Sequence, residues 1–274
     1  MQQRTLAFIG AGNMSRSIIA GLIQAGYPAE RIIAANPSRP KLDELASQFG
    51  IRITQDNAEA AREAEVIVLA VKPQLMAGML TALVAELGSL DGKLLISIAA
   101  GIRVARLQEM AGGHDRIIRT MPNTPSLLGL GMTGLYAPPA IGQADRAVAE
   151  QMMQSVGKTL WVDEEAGING VIAAAGSAPA YFFLFMQAIA EEAEAMGFTP
   201  EQARLLVQQT ALGAAAMVEQ NPDLSLQTLR EQVTSKGGTT AEAVKTFQEQ
   251  GLMPLTARAM QAAVTRAGEM ETLF

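Results

Sequence analysis

The sequence predicts an α/β protein in two parts: an open, doubly wound parallel sheet over residues 1–162, then an all-α domain over residues 163–274. Three observations carry this expectation. Short β-rich runs alternate with helical segments to about residue 160, the grammar of a parallel sheet whose crossovers are helices. A glycine turn, "FIGAGNMS", joins the first of these runs to the first helical segment. Beyond residue 163 the strand pattern stops and every segment reads as helical.

In chain order, the strands are "TLAFIG" (5–10), "RIIAAN" (31–36), "IRIT" (51–54), "EVIVLAV" (65–71), "KLLISIAA" (93–100) and "DRIIRT" (115–120). Between them lie "SRSIIAGLIQAG", "RPKLDELASQFG", "NAEAAREA" and "QLMAGMLTALVAELG", with apolar residues near helical spacing and glycines at several ends. "TGLYA" (133–137) and "GKTLWVD" (157–163) extend the sheet at an edge. The C-terminal helices are "GVIAAAG", "PAYFFLFMQAIAEEAEAMG", "PEQARLLVQQTALGAAAMVEQ", "LSLQTLREQV", "TTAEAVKTFQEQG" and the last twenty residues. "AYFFLFMQAIA" is apolar around nearly its whole circumference and so needs cover on every side. A helical domain of barely a hundred residues supplies too little of it. A second copy of the chain is the simplest cover, which makes this a dimerisation domain and the protein a homo-oligomer, at least a dimer.

Composition narrows the function classes. The chain has 274 residues, 49% hydrophobic and 18% charged, an ordinary globular balance. A net charge of −6 speaks against nucleic acid or an anionic membrane as partner. There is no cysteine, which excludes disulfides, thiolate catalysis and cysteine-ligated zinc, and fits a cytoplasmic protein. No metal site is expected. The opening "MQQRTLAFIGAGNM" reads as a first strand and not as a signal peptide. The longest apolar stretch, "VIAAAGSAPAYFFLFM" (171–186), is interrupted by Gly176, Ser177 and Pro179 and falls short of a bilayer span.

"FIGAGNMS" is the first chemical signal. Gly10 permits a tight turn, Gly12 lets a pyrophosphate approach the backbone, and the amides of Ala11, Asn13 and Met14 gather at a helix N-terminus that favours an anion. Ser15 takes the third glycine position, small enough for close packing but a departure from the plain fingerprint. A glycine turn without a ligand predicts some of the same residues. Its place between a first strand and a first helix favours a Rossmann-like dinucleotide site. After the second strand stand Asn36, Ser38 and Arg39, where an NAD-specific site would carry an acid. Donors without a carboxylate suit a 2′-phosphate, so NADPH is expected over NADH. Ala70, Val71, Lys72 and Pro73 follow the fourth strand, and Ala99, Ala100 and Gly101 the fifth. Both are carboxyl ends of strands, where open α/β sheets bind ligands. The 1–162 domain is thus an NAD(P)-binding domain.

A second signal is "VTSKGGTTAEAV" (233–244), hydroxyls and bare backbone running into a helix. Gly237 and Gly238 let the chain turn and expose consecutive N–H groups, and Ser235, Thr239 and Thr240 add donors, a set suited to a carboxylate. A well-capped helix uses the same residue types.

Together "FIGAGNM", "AVKPQ", "SIAAG", "RTMPNTP" (119–125), "GSAPAYFF" (176–183) and "VTSKGGTTAEAV", in this order and spacing, resemble pyrroline-5-carboxylate reductases from the first strand to the last helices. Lys236 and Ala178 depart from the proline and glycine common in that family. The resemblance implies reduction of the cyclic imine 1-pyrroline-5-carboxylate to L-proline with NAD(P)H. It implies a substrate-binding helical domain in which Thr240 is the catalytic group, hydrogen-bonded to the ring nitrogen, with Glu164 reaching the substrate and Asn57 the cofactor. Imine reduction asks little acid–base machinery, consistent with a lone histidine, His114, in the turn "GGHD". "MPNTP" reads as a stiff turn walling the nicotinamide, without a chemical step. The rivals are another NADP-dependent imine or β-hydroxyacid-type reductase, whose usual helix lysine is missing from "GSAPAYFFLFMQAIAEEAEAM", and a non-catalytic NADP-binding regulator.

Overall fold

The structure is a computed structural model and describes residues 4–274. The chain divides into two compact units: one runs through Ser177 and takes back Ala263–Phe274, the other is Ala178–Ala262. The boundary expected at 162/163 coincides with the end of the sheet, whereas this division falls 15 residues later, between Ser177 and Ala178.

The first unit is built on eight strands, β1 (Leu6–Ile9), β2 (Ile32–Ala35), β3 (Arg52–Thr54), β4 (Val66–Leu69), β5 (Leu94–Ser97), β6 (Ile117–Met121), β7 (Gly131–Tyr136) and β8 (Gly157–Trp161). They lie in the order β3-β2-β1-β4-β5-β6-β7-β8. Every neighbouring pair is parallel except β6 and β7, which run antiparallel with Thr120 opposite Leu135. The order reverses beside β1, so a crevice opens at the carboxyl ends of β1 and β4, the position where doubly wound sheets bind ligands.

Strand periodicity explains the two layers. Leu6 and Phe8, Val66 and Val68, and Leu94 and Ile96 face one layer, formed by α1 (Asn13–Gln24), α2 (Arg39–Phe49) and α6 (Gln143–Gln154). Ala7 and Ile9, Ile67 and Leu69, and Leu95 face the other, formed by α3 (Asn57–Glu63), α4 (Pro73–Leu87) and α5 (Val104–Met110). Alternate side chains leave opposite faces of a strand, so a strand covered on both sides must be apolar throughout. Each buried Phe, Leu or Ile contributes about 1.5–3 kcal/mol, which is why the central strands carry no charge. The unit continues through α7 (Gly167–Val171) and a π-helical turn at Ile172–Gly176.

The second unit is helical. It holds α8 (Ala178–Ala195), α9 (Pro200–Gln220), α10 (Leu226–Gln232), α11 (Thr239–Glu249) and the first part of α12 (Leu252–Met270). Local chemistry sets the helix starts. Thr199 and Gln202 form a reciprocal capping box with Pro200 in the first turn of α9, and Ser225 accepts the Thr228 N–H at 3.0 Å to start α10. Phe185 of α8 packs on Phe247 of α11 with ring centroids 5.7 Å apart. Much apolar surface stays uncovered in the single chain: Phe182, Phe183 and Leu184 are 66%, 64% and 68% exposed. α7, the π turn and α8 run on from Gly167 to Ala195, 29 residues long and apolar enough by length and composition to cross a bilayer. This exceeds the expected length, because the π turn carries the helix past Gly176 instead of ending it there.

Candidate active site

The glycine turn is shaped by a close approach and by open space. At Gly10 a Cβ would lie 2.5 Å from the Ala70 carbonyl oxygen, and φ is +112°, so glycine alone fits where β1 passes the end of β4. At Gly12 a Cβ would meet nothing within 4 Å. Gly12 caps α1 with no side chain bonded to the first-turn amides. Open space before uncapped N–H groups and the positive end of a helix dipole is the cradle a pyrophosphate needs. Ser15 donates its hydroxyl to the Gly10 carbonyl at 2.6 Å, which fixes the turn from within the helix. The missing third glycine is thereby explained.

Asn36 works on the loop itself. Its Oδ1 accepts the Ala11 N–H at 3.3 Å, and its Nδ2 donates to the Ser38 carbonyl at 3.1 Å. Ser38 caps α2 without a side-chain bond, which leaves its hydroxyl for a ligand. Arg39 pairs with Asp43 at 2.7 Å, with both side chains more than half exposed. Such a pair is weak, so the guanidinium is available to a phosphate.

Lys72 caps α4, whose first turn contains Pro73, and it is exposed next to the half-buried Ala70 and Val71. Ala99 is buried, Ala100 half-buried, and Gly101 has φ +75° with Met270 Cβ 3.1 Å from where a Cβ would stand. Asn57 opens α3, with Asp56 accepting the Ala58 and Glu59 amides. The sheet brings Gly10–Met14, Asn36–Arg39, Ala70–Pro73 and Ala99–Gly101 to the carboxyl ends of β1, β2, β4 and β5. His114 lies before β6 at the opposite edge, with Nε2 3.0 Å from the Lys93 carbonyl oxygen.

The second cluster belongs to the helical unit. Gly238, a glycine, caps α11, and no side chain bonds to the first-turn amides. The well-capped-helix alternative therefore does not describe this segment. Gly237 has φ +72° and turns the chain, while the Gly238 N–H donates to the Ser235 carbonyl at 3.0 Å. Ser235, Thr239 and Thr240 are exposed, and among the described residues their hydroxyls have no partner. What remains is a helix N-terminus with orphan amides flanked by three unused hydroxyls, a donor set with the chemistry to bind a small carboxylate.

Glu164 is exposed in the loop before α7. The sequence reading passed over its neighbour Glu165, which accepts the Val104 N–H at 2.7 Å and pairs with the buried Arg119. It also passed over Asn123, whose side chain makes two bonds inside the fold. Asn123 stands between prolines in "MPNTP", which marked a turn and gave no sign of a long-range partner.

The chain resembles known proteins over its whole length. Residues 165–270 match the family model described as pyrroline-5-carboxylate reductase dimerisation, and residues 5–101 match one described as NADP oxidoreductase coenzyme F420-dependent. A protein of Vibrio alginolyticus named pyrroline-5-carboxylate reductase is 58% identical over 274 residues, all of both chains. The solved pyrroline-5-carboxylate reductase of Coxiella burnetii is 41% identical, with TM-score 0.93 over 98% of this chain and 99% of its own. The Plasmodium falciparum pyrroline carboxylate reductase, solved with NADP bound, is 28% identical, with TM-score 0.85 over 99% of each chain. With an open glycine turn at the sheet crevice, an uncapped helix start among hydroxyls and full-length likeness at this level, the chain belongs to the pyrroline-5-carboxylate reductase family.

Proposed function

We propose that the protein reduces 1-pyrroline-5-carboxylate to L-proline with NADPH. The observation that carries this reading is the start of α11: amides and the Ser235, Thr239 and Thr240 hydroxyls stand without a partner where a substrate carboxylate and ring nitrogen need donors.

In the first unit the Gly10–Met14 turn would hold the pyrophosphate, Ser38 and Arg39 the 2′-phosphate, and Asn57, Ala70–Pro73 and Ala99–Gly101 the remainder of the dinucleotide. NADPH, when bound, supplies a hydride to the imine carbon. The chain's part is to bind, orient and donate. Gly237, Gly238 and Thr239 offer backbone N–H groups to the substrate carboxylate, and the Ser235 hydroxyl adds a donor. Thr240 holds the ring nitrogen. The nitrogen gains one proton as the C=N bond becomes a C–N single bond, and it is basic enough to take that proton from water. No histidine or cysteine is needed at the reacting atoms. Glu164 is assigned to the substrate, which the family resemblance implies it reaches.

Residues 1–162 form the cofactor domain in this reading, and 163–274 the substrate and dimerisation domain. The exposed Phe182, Phe183 and Leu184 would be covered by a second copy, which supports a homo-oligomer of at least two chains. A cysteine-free chain using NADPH fits the cytoplasm. The deciding experiment follows NADPH absorbance at 340 nm with pyrroline-5-carboxylate, and in parallel with a panel of other cyclic imines and keto acids. Turnover confined to the panel, or none at all, removes the assignment.

A further inference from the structure

Pro179 leaves one carbonyl without its helical donor. In an α-helix the oxygen of Ala175 would accept the N–H of residue 179, and proline has none. Around it the chain widens: Ile172–Gly176 is π-helical and the Ser177 N–H reaches the Ile172 oxygen at 2.7 Å. π turns of this kind frequently mark functional positions in helices. The orphaned Ala175 oxygen is nevertheless satisfied. Asn123 Nδ2 donates to it at 3.0 Å, from the turn that follows β6 at the carboxyl edge of the sheet. The other end of the same amide is also engaged, with Oδ1 accepting the Met132 N–H at 2.8 Å at the start of β7. Asn123 is buried, so both bonds are made out of water, where a lost partner is costly. Two residues beyond Ala175, between Ser177 and Ala178, the chain passes from one compact unit to the other.

We propose that Asn123 is a positioning residue: its amide supplies the donor that Pro179 withholds, and so locks the wide turn through which the sheet unit leads into α8. Asn123 lies in the stretch read as a wall of the nicotinamide, but its amide is spent on Ala175 and Met132, and no residue of the clasp belongs to the Gly10–Met14 turn or to the hydroxyl cluster of α11. Its loss should therefore reduce turnover far more than NADPH affinity. The activity readout rests on the reductase reading, whereas amide exchange over 171–184 reads the clasp independently of any reaction.

The variants are Asn123→Ala, Asn123→Asp, which keeps the acceptor for Met132 but loses the donor, and each of these with Pro179→Ala, which returns an N–H to position 179. We expect kcat to fall about tenfold in the single variants, the scale of one buried hydrogen bond. The NADPH Kd by fluorescence should stay within about twofold, and exchange over 171–184 should quicken. Pro179→Ala should restore much of kcat and slow the exchange. A folded Asn123 variant with unchanged kcat and only a lower melting temperature overturns the proposal, as does a loss that Pro179→Ala leaves untouched. Should neither single variant fold, recovery of folding by Pro179→Ala supports the donor role, and failure to recover overturns it. An inactive wild type would instead remove the reductase reading, with the exchange result still deciding the clasp.

Discussion

Arg119 and Glu271 meet at 3.0 Å although 152 positions separate them in sequence. The guanidinium, only 1% exposed in the middle of β6, also donates through Nη1 to Glu165 at 3.0 Å. Glu271 is bonded a second time, by Arg103 Nε at 3.1 Å, and Glu165 holds the first amide of α5. The cluster fastens the last turn of the chain and the loop before α7 to the segment just after Gly101, itself a candidate cofactor residue. Two guanidiniums face two carboxylates, so burial leaves no net charge.

Removing one partner from such a cluster costs more than the pair was worth, because the remaining charges stay buried. Arg119→Met should lower stability by about 3–5 kcal/mol, the range for a broken buried ion pair. The urea midpoint measures it, and Glu271→Gln, which keeps a polar acceptor, should cost less. Equal midpoints for Arg119→Met and wild type would show that the cluster contributes nothing.

Most of the fold was legible because it rests on local signals. β1 and β4 are uninterrupted apolar runs, and the glycine turn has a direct steric reason in the approach of Gly10 to Ala70. The edge strands β7 and β8 were readable as strands, but no local pattern says that β7 runs antiparallel to β6. The α11 start was legible as a motif; only the structure distinguishes an uncapped helix start from an ordinary capped one, since that depends on where hydroxyls point. Arg119 and Asn123 were illegible for a different reason. Each acts through partners 46 to 152 positions away, or 9 and 52, and sequence spacing carries no trace of such pairings.

Arg39 should decide cofactor choice. Its guanidinium rests on Asp43 in an exposed pair that costs little to break, beside the unbonded Ser38 hydroxyl. Arg39→Ala should raise the KM for NADPH by roughly tenfold, the loss of one charge-assisted contact, and leave the KM for NADH within about twofold. Steady-state kinetics with both cofactors checks this. A wild type that uses NADH as efficiently as NADPH would contradict it.

Asp145 should set part of the acid sensitivity. Burial acts to raise its pKa, but hydrogen bonds from Arg116 and from Arg4 outweigh burial and hold the carboxyl below the usual range. A group with a depressed folded pKa stabilises fully above its unfolded value, about 3.9 for aspartate, and loses that contribution as pH falls through the folded value. Asp145→Asn should therefore melt lower than wild type at pH 7, and the gap should narrow on acidification to pH 3. A gap that is constant across the range would assign the effect to packing alone.

Thr240 offers the sharpest test of the chemistry. Its hydroxyl is exposed at the second position of α11, and the cap of that helix is Gly238, so the side chain carries no structural bond among the described residues. Thr240→Val keeps the β-branched shape and deletes only the donor. If the hydroxyl orients the ring nitrogen for hydride transfer, its loss should cost roughly 2–4 kcal/mol of transition-state stabilisation, the scale of a removed oxyanion-hole donor. That is about a hundredfold in kcat/KM, at 1.36 kcal/mol per factor of ten. Stability should be unchanged, because no cap is lost, and NADPH affinity should hold, because the candidate dinucleotide residues belong to the sheet unit. A residue that merely started the helix would show the reverse, a drop of about 1 kcal/mol in stability with activity retained. Measuring kcat/KM and Tm on one preparation separates the two, and a fully active Thr240→Val would remove Thr240 from the mechanism.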